Sequence, residues 1–478
     1  MTRNILSIDL GTSRLKLGVI NDRLETLTVA SAGYPTFVEQ AGMAEQRAED
    51  WIHAIAKTWG EVREAQPDIR IDAVVLTAQM PTLVELDEQG RLIGRAVTWQ
   101  DSRADELVTE RLSVDDRRRV KEIAGTPIDG RYLIPMYLQR RLMGMPEPAA
   151  LLSAKDYLFY VLTGEKWSDP STASGFGNYD LSTQHFSHEL TSLWGFDAQL
   201  LPTVEASHST APLAPSGTHL LVGLGADVPV VLGAADSMAA FHFVEQTFGT
   251  SIAIIDGSST VIVSAADGAN DAYREALVTP LVNATRESVE MDLLATGSSI
   301  AWLATLFGCS PTELEALALR VEDKAASPVI FLPYLAGGEQ GALWRTDLSG
   351  AISNLNLGSS QGDIALALFE GIAFEVLRCL DAVASPATSP TVVWLVSGDN
   401  DGLLPALVSA LGNFPVVMVP GLSPSLLGAA FLALEVLQET PDLTSQRATL
   451  ARTPRELDLS YVVALSDKRS RYLEESAT

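Results

Sequence analysis

The feature that most constrains this chain is a pattern that occurs twice. Leu6-Ser-Ile-Asp9-Leu-Gly-Thr-Ser13 runs from an apolar strand into an acidic residue and a small-residue turn, and Leu15, Leu17, Val19 and Ile20 resume an apolar strand beyond it. Ile252-Ala-Ile-Ile-Asp256-Gly-Ser-Ser-Thr-Val-Ile-Val263 repeats the order of strand, acidic residue, Gly/Ser/Thr turn and strand. Period-two apolar alternation broken by turn residues reads as a β-hairpin. Two such hairpins, each opening a half of roughly 200 residues, predict a duplicated architecture.

The segments between the hairpins alternate in period. Arg47–Glu64 carries Trp51, Ile55 and Trp59 at four-residue spacing, a helical stripe, and precedes the short apolar run Asp72–Thr77. Leu83 to Ile93 reads as two strands around Gly90, and Ala104–Trp194 is mainly helical and polar. After a Pro- and Gly-containing stretch at 206–225, Val228-Pro-Val-Val-Leu-Gly-Ala-Ala-Asp236 is a buried-type strand ending in a carboxylate, with a small-residue helix next. A hinge is expected just after that helix, near residues 240–250. The second half continues with the run Val329–Leu335, a long helix Gly362–Val383 and a strand Val392–Val396 ending at Ser397-Gly398-Asp399. A helix at Leu404–Leu411, strand Val416–Val419 and helix Ser425–Leu434 follow, and the charged segment from Thr440 onward carries little pattern apart from a short element expected at Leu459-Ser-Tyr-Val-Val-Ala464. Strands alternating with helices predict α/β layers.

Charge narrows the partners. There are 33 Lys+Arg against 60 Asp+Glu, a formal net charge of −27. Such a surface repels phosphate backbones and anionic lipid, so neither nucleic acid nor a membrane is expected as a partner. It leaves room for a small anionic ligand held by backbone N–H groups. Cys309 and Cys379 are the two cysteines, too few for a disulfide framework or a thiolate cluster, and predict a reducing, cytoplasmic setting. The opening residues reach Asp9 before a signal-type apolar run develops, and no apolar stretch is long enough to span a bilayer.

Chemistry concentrates at strand ends. Asp9 sits beside a turn whose backbone N–H groups and hydroxyls suit phosphate, and its carboxylate suits Mg2+ held through water; the same residues also make an ordinary hairpin turn. Asp236 ends an apolar strand, where open α/β sheets bind ligands, and it also suits a helix N-cap. Gly257-Ser258-Ser259 and Ser397-Gly398-Asp399 are further small-residue turns after strands. There is no GxxxxGKS or GxGxxG arrangement, so P-loop and Rossmann readings lack support. The six histidines are scattered, and His185 with His188 lacks a third ligand at zinc spacing.

The ordered series of motifs resembles the FGGY carbohydrate kinase family, in particular its xylulokinase-like subgroup, over Ile5 to about Leu434. Ile8-Asp-Leu-Gly-Thr-Ser-Arg-Leu-Lys16 resembles the first phosphate loop, and Gly42-Met-Ala-Glu-Gln46 with Trp51 is similar to the family's GxxEQ…W stretch. Gln79-Met80, Trp99-Gln-Asp-Ser-Arg103, Lys155-Asp-Tyr-Leu158, Leu162-Thr-Gly-Glu165 and Asp169-Pro-Ser-Thr-Ala-Ser174 follow in family order. Gly233-Ala-Ala-Asp236 resembles the catalytic-base motif; Phe331–Glu339, Glu370–Phe374, Ser397-Gly398 and Gly428-Ala-Ala complete the set.

That resemblance implies duplicated actin-like/hexokinase ATPase (ribonuclease H-like) domains with an interdomain cleft. The expected domains are 1–245 on the sugar side, 246–440 on the nucleotide side, and a C-terminal extension 441–478. It implies ATP-dependent phosphorylation of a small sugar or polyol, a ketose first, with another polyol, a sugar acid or a weakly active binding protein as the alternatives. Asp236 is the implied base; Gln79, Met80, Trp99, Asp101, Arg103, Asp236 and Ser237 face the substrate. Gly11, Thr12, Ser13, Lys16, Gly257, Ser258, Ser259, Gly398 and Asp399 serve ATP, and Asp9 serves Mg2+. A homodimer is the working expectation for assembly. Pro81 stands where xylulokinase-like proteins have His in GQMHG, Ser237 replaces Asn, Met136 replaces a commonly basic residue, Ser258 replaces Thr and Asp399 replaces Gly. D-Xylulose is therefore not assumed, because losing one hydrogen-bonding group from a sugar site shifts discrimination by large factors.

Overall fold

The computed structural model describes residues 2–249, 251–266, 276–282, 285–339, 341–345, 347–384, 390–396, 402–412, 414–420, 423–439, 441 and 443–477. By contact the chain forms two units: Met1–Phe243 with Val278–Glu287 and Ser423–Gln446, and Val244–Leu277 with Ser288–Leu422 and Arg447–Thr478. The chain passes from the first to the second within one helix, Asp236–Phe248. Helix Pro424–Val436, near the end of what the sequence reads as the second domain, belongs by contact to the first unit.

The first unit is built on a six-stranded sheet. Its strands lie in the order Thr210–Pro212, Pro229–Ala235, Ala73–Ala78, Asn4–Leu10, Arg14–Asn21 and Thr26–Gly33. The opening hairpin is antiparallel, with Asp9 opposite Lys16. Asn4–Leu10 and Pro229–Ala235 both run parallel to Ala73–Ala78, one on each side. These three strands are buried at nearly every position, as expected where both faces of a parallel sheet are covered. Trp51, Ile55, Trp59 and Val62 of helix Ala48–Ala65 form the buried stripe against the sheet.

The second unit repeats the scheme. Ser251–Asp256 pairs antiparallel with Thr260–Ala266 and parallel with Thr391–Val396, which pairs parallel with Val416–Pro420. The long helix Gln361–Val383 fills its core, entered through a capping box between Ser360 and Asp363.

The segment after Thr440 holds more structure than the short element expected at Leu459–Ala464. It forms helices Leu443–Leu450 and Leu459–Glu475. The buried positions of the latter, Tyr461, Leu465, Lys468 and Tyr472, recur at helical spacing, yet only one is a plain hydrocarbon, so an apolar pattern does not reveal the stripe. Its polar tips answer carboxylates buried on the long helix. The Tyr461 hydroxyl donates to Glu370 Oε1 at 2.7 Å, Lys468 Nζ to Glu370 Oε2 at 2.5 Å, and the Tyr472 hydroxyl to Glu375 Oε1 at 2.8 Å. Burial pushes the Glu370 carboxyl up and the Lys468 ammonium opposes it.

Removing one partner of a buried pair strands the other, so Lys468→Met is expected to cost the second unit about 3–5 kcal/mol. Adding Glu370→Gln should recover much of that loss. Urea unfolding of both variants checks it; a Lys468→Met protein as stable as the parent would show that Glu370 does not depend on this partner.

Candidate active site

The two parallel pairings decide where the carboxylates sit. Leu10 and Ala235 are both in register with Ala78, on opposite sides of the same strand. Asp9 therefore lies one residue before that level and Asp236 one residue beyond it, on strands about 10 Å apart at ordinary sheet spacing. Both carboxylates emerge at the carboxyl edge of one sheet.

The strand leading to Asp236 reaches that edge through a bulge. Its register against Ala73–Ala78 shifts between Val231 and Ala234. Gly233 sits in the shift at φ +74°, and a Cβ there would lie 1.7 Å from the Leu76 carbonyl oxygen. Beneath it lies a buried polar network. Lys155 Nζ approaches Asp169 Oδ1 at 3.1 Å and the Leu232 carbonyl at 3.3 Å. Asp169 Oδ2 accepts from Ser171 Oγ at 2.5 Å and Ser207 Oγ at 3.1 Å, and Ser171 Oγ accepts from the Ala235 N–H at 3.0 Å. The last peptide before Asp236 is thus tied to a fully buried ion pair. Asp236 opens its helix directly, with Oδ1 accepting the Ser237 N–H at 2.8 Å.

The first turn is held from several sides. The Gly11 N–H donates to Arg14 O at 3.1 Å, and the Tyr34 hydroxyl donates to the Gly11 carbonyl. Trp99 Nε1 donates to Thr12 Oγ1 at 3.1 Å, and Gln46 Nε2 donates to the Thr12 carbonyl at 2.7 Å. Because Gln46 Nε2 is spent on oxygen acceptors, its Oε1 must be the atom that accepts from Trp51 and from Gln79 Nε2. That fixes the Gln79 amide as well, and leaves Gln79 Oε1 buried with no hydrogen-bond partner. Asp9 Oδ1 is likewise buried and unpartnered. Two orphaned acceptors at one sheet edge are what a ligand bearing hydroxyls or metal-bound water would satisfy.

Asp101 and Arg103 have a different setting. Asp101 Oδ2 accepts the Ala44 N–H at 2.8 Å, and Arg103 Nη2 bonds Asp101 Oδ2 and Glu45 Oε1, each at 2.7 Å. They tie the Gly42–Gln46 segment to the Trp99–Arg103 segment and so set Gln46 against the turn. Met80 lies against Gly175, whose Cβ would meet its methyl at 3.0 Å. Lys16 Nζ donates to Ser423 Oγ at 3.4 Å. In the second unit the turn Gly257–Ser259 is exposed or half-buried, and the Ser258 carbonyl accepts from Ser298 N and Oγ, both at 3.0 Å. Asp256 before it is pushed up to about 6 by burial. Gly398 and Asp399 lie outside the described residues.

Sequence reasoning missed Gln46's bridging role, Tyr34, Ser298 and Ser425. Gly297-Ser-Ser at the start of an apolar helix was a visible signal for Ser298; the others became visible only through tertiary contact.

Two duplicated units of this topology constitute the actin-like ATPase fold, and the chain is a sugar or polyol phosphotransferase. It belongs to the FGGY family of carbohydrate kinases, whose N-terminal domain matches residues 4–242 and whose C-terminal domain matches residues 247–435. The chain is 23% identical over 455 residues to a gluconokinase of Bacillus subtilis, spanning 91% of this chain and 88% of that protein. It is 26% identical over 472 residues to a glycerol kinase of Janthinobacterium, 93% of each chain. Its fold is similar to the crystal structure of a ligand-bound xylulose kinase from Lactobacillus acidophilus, with a TM-score of 0.87 at 21% identity over 99% of this chain and 97% of that one.

Two outcomes follow from this geometry. Gly233→Ala should cost the first unit about 2–4 kcal/mol through backbone strain and overpacking, with turnover falling in step with the melting temperature; unchanged melting would contradict the bulge. In the second unit, burial and the nearby Glu375 push Glu339 up to about 7 from an ordinary 4.5. The folded state then keeps a proton that the unfolded chain releases, so this contribution to stability is complete below about pH 4.5 and is lost as pH rises towards 7. Melting curves of the parent should show that loss, and Glu375→Gln should flatten it.

Proposed function

We propose that the protein transfers the γ-phosphoryl group of ATP to a hydroxyl of a small neutral sugar or polyol, a ketose first. The observation that carries this reading is the placement of Asp9 and Asp236 at one edge of one sheet, flanking Ala73–Ala78. Asp236 accepts the hydroxyl proton as the oxygen bonds to the γ-phosphorus, and the bridging bond to ADP breaks. Catalysis of this kind is largely positioning and charge neutralisation. Thr12 and Ser13, with Gly257 to Ser259, serve the phosphate oxygens. Gln79 Oε1, buried and unpartnered, suits a substrate hydroxyl donor.

Asp9 fits a role in holding Mg2+. Among the described residues no group of three or more His, Cys, Asp or Glu side chains could hold a metal alone. Mg2+ commonly keeps several waters and takes one carboxylate together with nucleotide phosphates, which matches a single buried carboxylate with an orphaned oxygen. When bound, the ion would neutralise phosphate charge.

Neutrality of the substrate is inferred from Arg103. It is the cation of the substrate-facing set, and its guanidinium is engaged by Asp101 and Glu45 rather than presented to a ligand carboxylate. A screen of ketoses, polyols and sugar acids with ATP and Mg2+, reading ADP release, tests the class; preference for an aldonic acid would refute the neutral-substrate reading. On the preferred substrate, Asp236→Asn should lower kcat by about 10²–10⁴-fold with folding intact. Near-parental kcat would exclude Asp236 as the base.

A further inference from the structure

Helix Pro424–Val436 brings an unassigned serine to the metal carboxylate. Ser425 Oγ donates to Asp9 Oδ2 at 2.6 Å, while Ser423 Oγ stands at 3.5 Å from the same oxygen and 3.3 Å from Ser425 Oγ. Lys16, the cross-strand neighbour of Asp9, donates to Ser423 Oγ at 3.4 Å. Both hydroxyl contacts to Asp9 fall on Oδ2. Oδ1 is buried without a partner.

The first turn of the helix is well placed to hold that asymmetry. Ser7 Oγ, two residues before Asp9 on the same strand, donates to the Leu426 carbonyl at 2.9 Å. Farther along, Gly428 lets the helix approach helix Asp236–Phe248 so closely that a Cβ would fall 1.7 Å from the Ala239 carbonyl oxygen. Glu435 Oε2, two turns on, meets His242 Nε2 at 2.8 Å and His208 Nε2 at 3.2 Å. The helix is pinned at both ends, so Ser425 has little freedom to follow a rotating carboxylate.

We infer that Ser425 is a positioning residue for Asp9: it occupies Oδ2, fixes the carboxylate rotation, and reserves Oδ1 for the water shell of a nucleotide-bound divalent cation. The inference rests on the kinase reading. A hydroxyl that orients a metal-binding carboxylate commonly contributes 10–100-fold to metal affinity or activity, so the effect here is expected at about tenfold.

The test is Mn2+ binding followed by electron paramagnetic resonance, with and without ADP, for the parent, Ser425→Ala, Ser425→Cys, Ser425→Thr and Asp9→Asn. Metal-free ADP affinity and melting temperature are measured alongside. Ser425→Ala and Ser425→Cys should weaken Mn2+ binding in the presence of ADP by about tenfold, with metal-free ADP affinity unchanged. Ser425→Thr keeps the hydroxyl and should stay close to the parent. Parental Mn2+ affinity in Ser425→Ala, with a loss in Asp9→Asn, would overturn the role of Ser425 and leave the kinase reading standing. Mn2+ losses that follow melting temperature across the series, rather than presence of the hydroxyl, would overturn it equally. An Asp9→Asn protein that binds Mn2+ with ADP as the parent does would instead count against the assignment of Asp9.

Discussion

Everything at this site depends on one strand, Ala73–Ala78, pairing in parallel with a neighbour on each side. Parallel pairing sends the carboxyl ends of three strands to one edge, and register then decides which residues meet there. Because Leu10 and Ala235 share Ala78 as partner, two carboxylates separated by more than two hundred positions arrive at nearly the same level. An antiparallel partner would have sent one of them to the far edge. Sheet register, rather than any local motif, makes the two acids neighbours.

The molecule spends buried charge to hold that edge in shape. Lys155 and Asp169 are almost fully buried, and their worth to net stability is small or negative compared with a hydrocarbon pair of the same shape. What they supply is direction. Through Ser171 the network captures the Ala235 N–H and sets the last peptide ahead of Asp236. Glu370 with Lys468 and Tyr461, in the second unit, follows the same logic between a core helix and the helix Leu459–Glu475. Both are polar anchors under functional or terminal segments that apolar packing alone would leave free to slide.

Much of the architecture was legible because it rests on periodicity. The hairpins at Asp9 and Asp256, the strand into Asp236 and the long helix to Val383 stand within three residues of their expected limits. Of the helix Leu459–Glu475 only the start at Leu459–Ala464 was legible, since two of its four core-facing residues carry phenols and one an ammonium. Their burial makes sense only when Glu370 and Glu375 are known to face them. Within the site, residue types near strand ends could be read, but their employment could not. Asp101 and Arg103 look alike in sequence as ligand groups, whereas in space they close on each other and on Glu45. Ser425 had no signal beyond a serine in a first helical turn; its contact with Asp9 spans more than four hundred positions.

That long reach has a consequence for how the protein is made. Residues through Phe243 leave the ribosome well before Ser423, and at typical synthesis rates the interval is on the order of 10–40 s. Throughout it, the face of the first sheet later covered by helix Pro424–Val436 is without that helix, and Asp9 is without Ser425. The nascent chain therefore carries an uncovered apolar face for tens of seconds, a natural point of engagement for a chaperone. Translation speed through the second half sets how long that exposure lasts.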